Sequence, residues 1–336
     1  MIKFKNIFKK DEPIIVAEIG NNHEGDFNRA IRLIDAAVNS GASAVKFQTY
    51  KVESYYSERY TDNKRYKRLK KFQLSFDQFK KLSVYSNKKN IVFFSTPFDL
   101  ESALFLNKIQ KLFKISSGDN NFLPLIKLVK TFNKPIILST GLMEYDEIKK
   151  ITNEFSGYAY KNKLAILHCV SKYPAFNKDL NLNSINFLKK KFPQFEIGYS
   201  DHSINNDISK IALTLGSFLV EKHFTLNKNT SNFHDHKISA TPNELKSLVE
   251  FSKNIRLILG NLKKSPDKSE KRNAVNLRRS PYLTRHIKKN EKINTNDVIW
   301  LRPFKKTSLS PFEFLKKKNS KKKFKKGDFL IKKNLK

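Results

Sequence analysis

Ile14-Ile15-Val16-Ala17-Glu18-Ile19, running straight into Gly20-Asn21-Asn22-His23-Glu24-Gly25, is the stretch on which the fold turns. Its β-branched run reads as a buried strand. An open doubly wound sheet would follow such a first strand with a Gly-rich phosphate loop, whereas this strand ends on a carboxylate and a polar turn. Seven more runs of the same kind stop on a chemically capable residue before a helical stretch begins. They are AVKFQT around Lys46, VFFST at Thr96, LFKISS at Lys114 and Ser117, IILST at Ser139, LAILHC at His168, EIGYSDH at Ser200 to His202, and FLVEKHF at His223. Apolar residues at three- and four-residue spacing predict helices over 27–39, 76–87, 100–109, 123–132, 145–155, 182–191, 204–215 and 242–259. The expectation is an α/β protein, a (β/α)8 TIM barrel with its site at the carboxyl ends of the strands.

The barrel is expected over 1–262. A charged, apolar-poor linker follows over 263–279, and then a small β-rich unit over 280–336, whose short apolar runs are punctuated by KKNEKI, RPF and KKGDFL. Of 336 residues, 66 are Lys or Arg and 31 Asp or Glu, a net charge of +35. Such an excess can signal nucleic acid or an anionic membrane, but here the lysines are scattered along the chain, as on a solvated surface. Only 316–318 and 321–326 concentrate them. A nucleic-acid partner is not expected, because the aromatic and arginine interleaving that stacks bases is missing. The single cysteine, Cys169, lies in an apolar run and suits a reducing compartment. MIKFKNIFKK has no continuous apolar core of a signal peptide, and no run approaches the roughly 18 apolar residues of a membrane span. A cytoplasmic protein without a membrane partner is expected.

Lys46 and Lys114 each interrupt an apolar strand, and a lysine there calls for an anion. Alternation puts Ala44, Lys46 and Gln48 on one face, toward the barrel mouth. A lone lysine at a strand end often only snorkels. Two at analogous places, joined by Thr96, Ser117, Ser139 and Ser200, describe a pocket for a phosphate and a carboxylate. His202 and His223 end consecutive strands, so they are either hydrogen-bonded core histidines or a metal pair with positions left open to water and substrate oxygen. Asp201, Glu221, His234, Asp235 and His236 stand near enough to add ligands or to orient them. Glu18 is either a surface carboxylate or, if partly buried, a group with raised pKa suited to proton transfer; Glu24 is a weaker candidate for that role.

In order, AEIGNNHEGD from Ala17, AVKFQ from Ala44, STPF from Ser95, FKISSG from Phe113, ILSTGL from Ile137, LHCVSKYP from Leu167, GYSDH from Gly198 and EKHFT from Glu221 closely resemble the sialic acid synthase family. The resemblance continues into Asp297-Val298-Ile299-Trp300-Leu301-Arg302-Pro303, which looks like part of the antifreeze-like (SAF) module of those synthases. It implies condensation of phosphoenolpyruvate with an N-acylated mannosamine-type sugar, giving N-acetylneuraminate or a relative plus phosphate. The same resemblance assigns Lys46, Thr96, Lys114, Ser117, Ser139 and Ser200 to phosphoenolpyruvate, and Tyr173 and Asp235 to the sugar. His202 and His223 fall to a divalent metal, Mn2+ or else Mg2+ or Co2+, and Glu18 becomes the base that activates water. Arg302 would reach the sugar's acyl group from a partner subunit, which implies a domain-swapped homodimer.

Two residues depart from the family pattern: Phe304 follows Arg-Pro where Gly is usual, and Ser171 stands where some N-acetylneuraminate synthases carry Asn. The run Ser116-Ser117-Gly118-Asp119-Asn120-Asn121 looks more like the neuraminate and legionaminate branches than the pseudaminate branch. An N,N'-diacetyllegionaminate synthase is therefore the nearest alternative. Another 3-deoxy-ulosonate synthase, acting on a phosphorylated aldose, should show a further set of Arg and Lys near the strand ends. A catalytically silent sugar-binding relative is a third reading, against which Glu18, both lysines and both histidines speak.

Overall fold

The structure, a computed structural model, describes residues 3–8, 12–156, 162–314, 316 and 319–336. MIKFKNIFKK is thus described only over 3–8, and Lys317 and Lys318 of the Lys-rich run lie outside the described residues. The chain divides into two units, Met1–Gly260 and Asn261–Lys336.

The first unit holds eight strands: β1 Ile14–Gly20, β2 Ala44–Thr49, β3 Val92–Pro97, β4 Phe113–Ile115, β5 Ile136–Ser139, β6 Leu164–Cys169, β7 Glu196–Asp201 and β8 Leu219–His223. They form one parallel sheet in the order β3-β2-β1-β8-β7-β6-β5-β4, a nearly closed (β/α)8 barrel. Parallel strands need helical crossovers, and Phe27–Asn39, Phe76–Lys88, Leu100–Asn107, Leu123–Thr131, Tyr145–Glu154, Asn183–Lys191 and Asp207–Thr214 provide them, with Pro242–Leu259 following β8. At the seam between β3 and β4 a side chain stands in for the ladder. Gln110 accepts the Ser95 N–H through Oε1 at 2.8 Å and donates to the Ser95 carbonyl through Nε2 at 3.2 Å.

Alternation sorts each strand into two sets. Ile15, Ala17, Val45, Phe47, Phe113, Ile115, Leu138 and Ile166 pack outward with Ala30, Leu33, Ile34 and Ala37 of the first crossover helix and their equivalents. That helix shows its buried residues at helical spacing and starts where the Asp26 carboxylate accepts the Arg29 N–H. Ile14, Val16, Ala44, Phe94, Leu112, Ile137, Ala165, Leu167 and Leu219 fill the interior at the amino-terminal end, where Phe4 and Phe8 join them. The next inward positions toward the carboxyl end are no longer apolar, which is where Glu18, Lys46 and Lys114 stand.

Several further elements lack a sequence signal. Asn63–Phe72 is a helix of NKRYKRLKKF that buries Phe72 alone. His234–Ile238 is a five-residue turn of helix. In the expected linker, Lys268–Leu277 is a helix with no buried residue, opened by Asp267 accepting the Glu270 N–H. In the second unit β9 Ser280–Leu283 pairs antiparallel with β10 Val298–Leu301, and isolated bridges join Tyr282 to Phe329 and Ile287 to Phe324. Leu283, Ile287, Ile293, Leu309, Phe314, Phe324, Leu330 and Leu335 form its own core. Among the described residues no helix is long and apolar enough to cross a membrane.

Candidate functional site

Where the barrel interior changes from apolar to polar, β1, β2, β4 and β8 each contribute one buried charge. Lys46 and Lys114 are 4% and 2% exposed, Glu18 and Glu221 2% and 5%. Lys46 Nζ lies 2.8 Å from Glu18 Oε2, 3.6 Å from Glu221 Oε1, and donates to Thr96 Oγ1 at 3.3 Å. Lys114 Nζ lies 3.7 Å from the same Glu221 oxygen and donates to Ser139 Oγ at 2.6 Å. Ser200 Oγ donates to Glu221 Oε1 at 3.0 Å. Burial of these charges is tolerable only because each faces an opposite charge or a hydrogen-bonding group.

The two carboxylates are driven apart. Burial raises Glu18 to about 7, against the pull of Lys46. Burial also works on Glu221, but Lys114, Lys46 and the Ser200 hydroxyl outweigh it and hold the group down at about 2. Glu221 Oε2 is buried without a hydrogen-bond donor. Burial likewise lowers the pKa of Lys114, countered in part by Glu221, while Glu18 and Glu221 more than offset burial at Lys46 and raise it. A pair of carboxyls split in this way is the usual signature of one permanent anion and one proton carrier.

A second layer sits around the mouth. Gly141 N–H donates to Ser117 Oγ at 3.1 Å, and Asn120 Nδ2 donates to the Ser139 and Gly141 carbonyls at 3.2 and 2.8 Å. Only glycine fits at 141, because a Cβ there would stand 2.3 Å from Ser171 Oγ. Gln48 links Glu18 Oε1, at 3.5 Å, to Asn21 Nδ2, at 2.8 Å.

His202 and His223 lie at the tops of β7 and β8 with ring centroids 5.5 Å apart. The Val170 carbonyl lies 2.7 Å from His202 Nδ1, so that nitrogen carries a hydrogen and Nε2 is the position left for a ligand; burial disfavours the charged ring, but Cys169 and the Val170 carbonyl outweigh it and raise its pKa. Burial lowers His223 to about 4, against Asp235, and so keeps it neutral; its Nδ1 is buried without a hydrogen-bond partner and 3.8 Å from Asp235 Oδ2. Two adjacent imidazoles, one oriented by a carbonyl at Nδ1 and the other with an orphaned buried nitrogen, fit a divalent ion, which would displace any proton from the nitrogen it takes. Among the described residues no three His, Cys, Asp or Glu side chains gather as a complete cage, so water and substrate would supply the other ligands. Tyr173 lies over His202 with centroids 4.1 Å apart, and His234 Nε2 is 3.0 Å from Asp235 Oδ1.

Two buried lysines thus stand in the barrel mouth beside a pair of imidazoles, and the family profile described as NeuB matches residues 33–264. The chain belongs to the NeuB family. It is 38% identical over 313 residues to the N,N'-diacetyllegionaminic acid synthase of Campylobacter jejuni, covering 89% of this chain and 93% of that one. It is 35% identical over 260 residues to the N-acetylneuraminate-9-phosphate synthase of Drosophila melanogaster, covering 74% and 69%. A solved N-acetylneuraminic acid synthetase of Leptospira borgpetersenii in complex with citrate superposes with a TM-score of 0.71 at 39% identity, over 78% of this chain and 90% of that one. Homologues of this NeuB-family chain are thus sialic acid and legionaminic acid synthases.

Within the barrel, Glu18, Lys46, Thr96, Lys114, Ser139 and Ser200 are tied into one network through Glu221, and Ser117 stands by Gly141 at its edge. Tyr173, Asp235, His202 and His223 form the adjoining group. Arg302 belongs to the second unit, where it is exposed and its Nε donates to the Leu277 carbonyl at 2.9 Å. Phe304 N–H donates to the Val275 carbonyl at 2.7 Å. Four side expectations need correction. Glu221 belongs with the lysines rather than with the histidines alone. Asp201 does not add a ligand, since it points to the outer face of β7, where it meets Lys222. His236 Nδ1 is 2.7 Å from Thr225 Oγ1, and its Nε2 faces Glu24 at 3.6 Å. Glu24 is held there by Arg29 and Ser231, away from the proton-transfer position.

Proposed function

We propose that the chain is a nonulosonate synthase, a transferase that condenses phosphoenolpyruvate with N-acetylmannosamine or a related acylated aminosugar. The observation that carries this reading is the cup in which Lys46 and Lys114, Thr96, Ser139 and Ser200 converge on two carboxylates of opposite pKa shift. Phosphate and carboxylate of phosphoenolpyruvate would take over the lysines, displacing Glu18 from Lys46. Carbon 3 attacks the aldehyde carbon of the open-chain sugar, forming the new C–C bond, and the aldehyde oxygen takes up a proton. Carbon 2, left electron-poor, adds water, and Glu18 accepts the proton that the water gives up. The C–O bond to phosphate then breaks, inorganic phosphate leaves, and loss of the hydroxyl proton gives the 2-keto acid. A divalent ion held by His202 and His223, Mn2+ or else Mg2+ or Co2+, would supply Lewis acidity to the aldehyde oxygen. Tyr173 and Asp235 line the sugar side in this reading.

The same proposal takes the second unit as an SAF module whose Arg302 contacts the sugar's acyl group in the other subunit of a domain-swapped homodimer. Its exposed position after β10 is compatible with that task. The likeness to the Campylobacter jejuni enzyme over most of both chains supports a legionaminate-type acceptor beside N-acetylmannosamine. Phosphate release from phosphoenolpyruvate with Mn2+ should be measured in parallel with N-acetylmannosamine and with 2,4-diacetamido-2,4,6-trideoxymannose, with a metal-free control. Metal-dependent release with either sugar supports the synthase and identifies its acceptor. No release with either one would sink the reading.

A further inference from the structure

The outer face of the barrel is mostly apolar, and between β7 and β8 it carries a buried ion pair. Asp201 on β7 and Lys222 on β8 are both fully buried, and they are partners in the parallel ladder. Lys222 Nζ lies 3.0 Å from Asp201 Oδ2 and donates to the Ser203 carbonyl at 2.5 Å, with the Asn205 carbonyl at 3.4 Å. Asp201 accepts the Ser203 N–H at 2.8 Å and the Ser209 hydroxyl at 2.5 Å. Stability alone does not call for this pair, since apolar residues of similar volume often replace a buried ion pair at no loss. Its place in the chain suggests another purpose. Asp201 immediately precedes His202 and Lys222 immediately precedes His223, and alternation turns the charges outward and the two imidazoles inward.

We infer that the Asp201–Lys222 pair is a positioning device that fixes the separation of His202 and His223 for a shared divalent cation. It pins β7 to β8 one residue before each imidazole. Through Ser203 and Asn205 it also anchors the chain on the far side of His202, so that backbone is held both before and after the ring. The ring itself is then oriented by the Val170 carbonyl at Nδ1. Two ligands held rigidly at a set distance bind an ion without first paying to be ordered. The inference rests on the proposed metal role of the two histidines.

The test is calorimetric titration of Mn2+ into the full-length protein and into Asp201→Asn/Lys222→Met. Phosphoenolpyruvate titration without metal and thermal melting run alongside. The double substitution leaves no unpaired buried charge, and the Asn side chain can still serve Ser203 and Ser209. The Mn2+ dissociation constant should rise about 10- to 100-fold, the range for groups that orient metal ligands. Phosphoenolpyruvate affinity should not change, because the lysines and their partners face the interior. Ser209→Ala, which removes one hydrogen bond to Asp201, is the milder variant and should weaken Mn2+ about threefold. Native Mn2+ affinity in the folded variants overturns the positioning role while leaving the metal reading intact. Equal losses of Mn2+ and phosphoenolpyruvate binding overturn it too, because they indicate a general structural role. A native protein that takes up no Mn2+ overturns the metal reading, and this inference with it.

Discussion

Glu18→Gln separates binding from chemistry in the proposed site. Glutamine keeps the volume of a side chain that is 2% exposed and can still accept from Lys46, whose Nζ lies 2.8 Å from Glu18 Oε2, but it cannot take a proton from water. Loss of a general base costs about 10²- to 10⁴-fold in kcat, equivalent to about 3–5 kcal/mol of transition-state stabilisation. The same change removes a carboxylate that competes with substrate for Lys46. Phosphoenolpyruvate should therefore bind the variant as well as the native protein, or better. With Glu18 raised to about 7, the base is protonated and idle in acid and ionised above neutrality. The native kcat/KM should climb as pH rises through about 7, and that limb should vanish in the variant. Initial rates of phosphate release at saturating sugar, a pH series and calorimetric titration of phosphoenolpyruvate measure all three. Turnover within about threefold of native, or a loss of substrate affinity matching the loss of kcat, would refute the assignment.

Two further substitutions probe the frame around that chemistry. Gly141→Ala would thrust a Cβ to 2.3 Å from Ser171 Oγ and 2.7 Å from Ser117 Oγ; displacing these hydroxyls should raise the KM for phosphoenolpyruvate about tenfold. An unchanged KM with an unchanged melting temperature would detach Ser117 from the pocket. Gln110→Leu strands the buried N–H and carbonyl of Ser95 and should destabilise the barrel by about 2–4 kcal/mol in a urea titration. A loss below about 0.5 kcal/mol would mean that the β3–β4 seam is held by other contacts.

The barrel was legible because its signal is periodic and repeated. Each strand is a buried apolar run, each crossover helix carries an apolar stripe, and the residue at each strand end breaks the pattern with a polar group. Alternation alone was enough to turn Lys46 and Gln48 inward, and both face Glu18. Where periodicity fails, so did the reading. The helix Asn63–Phe72 buries only Phe72, so it has no stripe to detect, and Lys268–Leu277 buries nothing. Glu221 was visible only as a neighbour of His223. Its link to Lys46 and Lys114 runs through three strands far apart in sequence, and local spacing carries no trace of it. Asp201 and His236 are not ligands, for the opposite reason. Proximity in sequence suggested proximity in the site, but alternation sends Asp201 to the other face of its strand, and His236 is drawn to Thr225 and Glu24.

The charge arrangement gives a reason for two carboxylates to stand in the proposed anion pocket. Two lysines buried without partners would cost several kcal/mol each or give up their protons. Glu221, held at about 2, is ionised at every physiological pH and lies between both ammonium groups. Of the two lysines Glu18 pairs with Lys46 and, at about 7, exchanges its proton near neutrality. The two therefore divide the work. Glu221 is a fixed counter-ion that keeps Lys114 and Lys46 charged before substrate arrives. In the proposed reaction Glu18 is a removable one, which the substrate's own negative charge would release from Lys46 at the moment when a base is needed. On this account the ion pair of the empty site and the proton acceptor of the filled site are the same carboxylate. Its raised pKa follows from burial that the lysine only partly offsets.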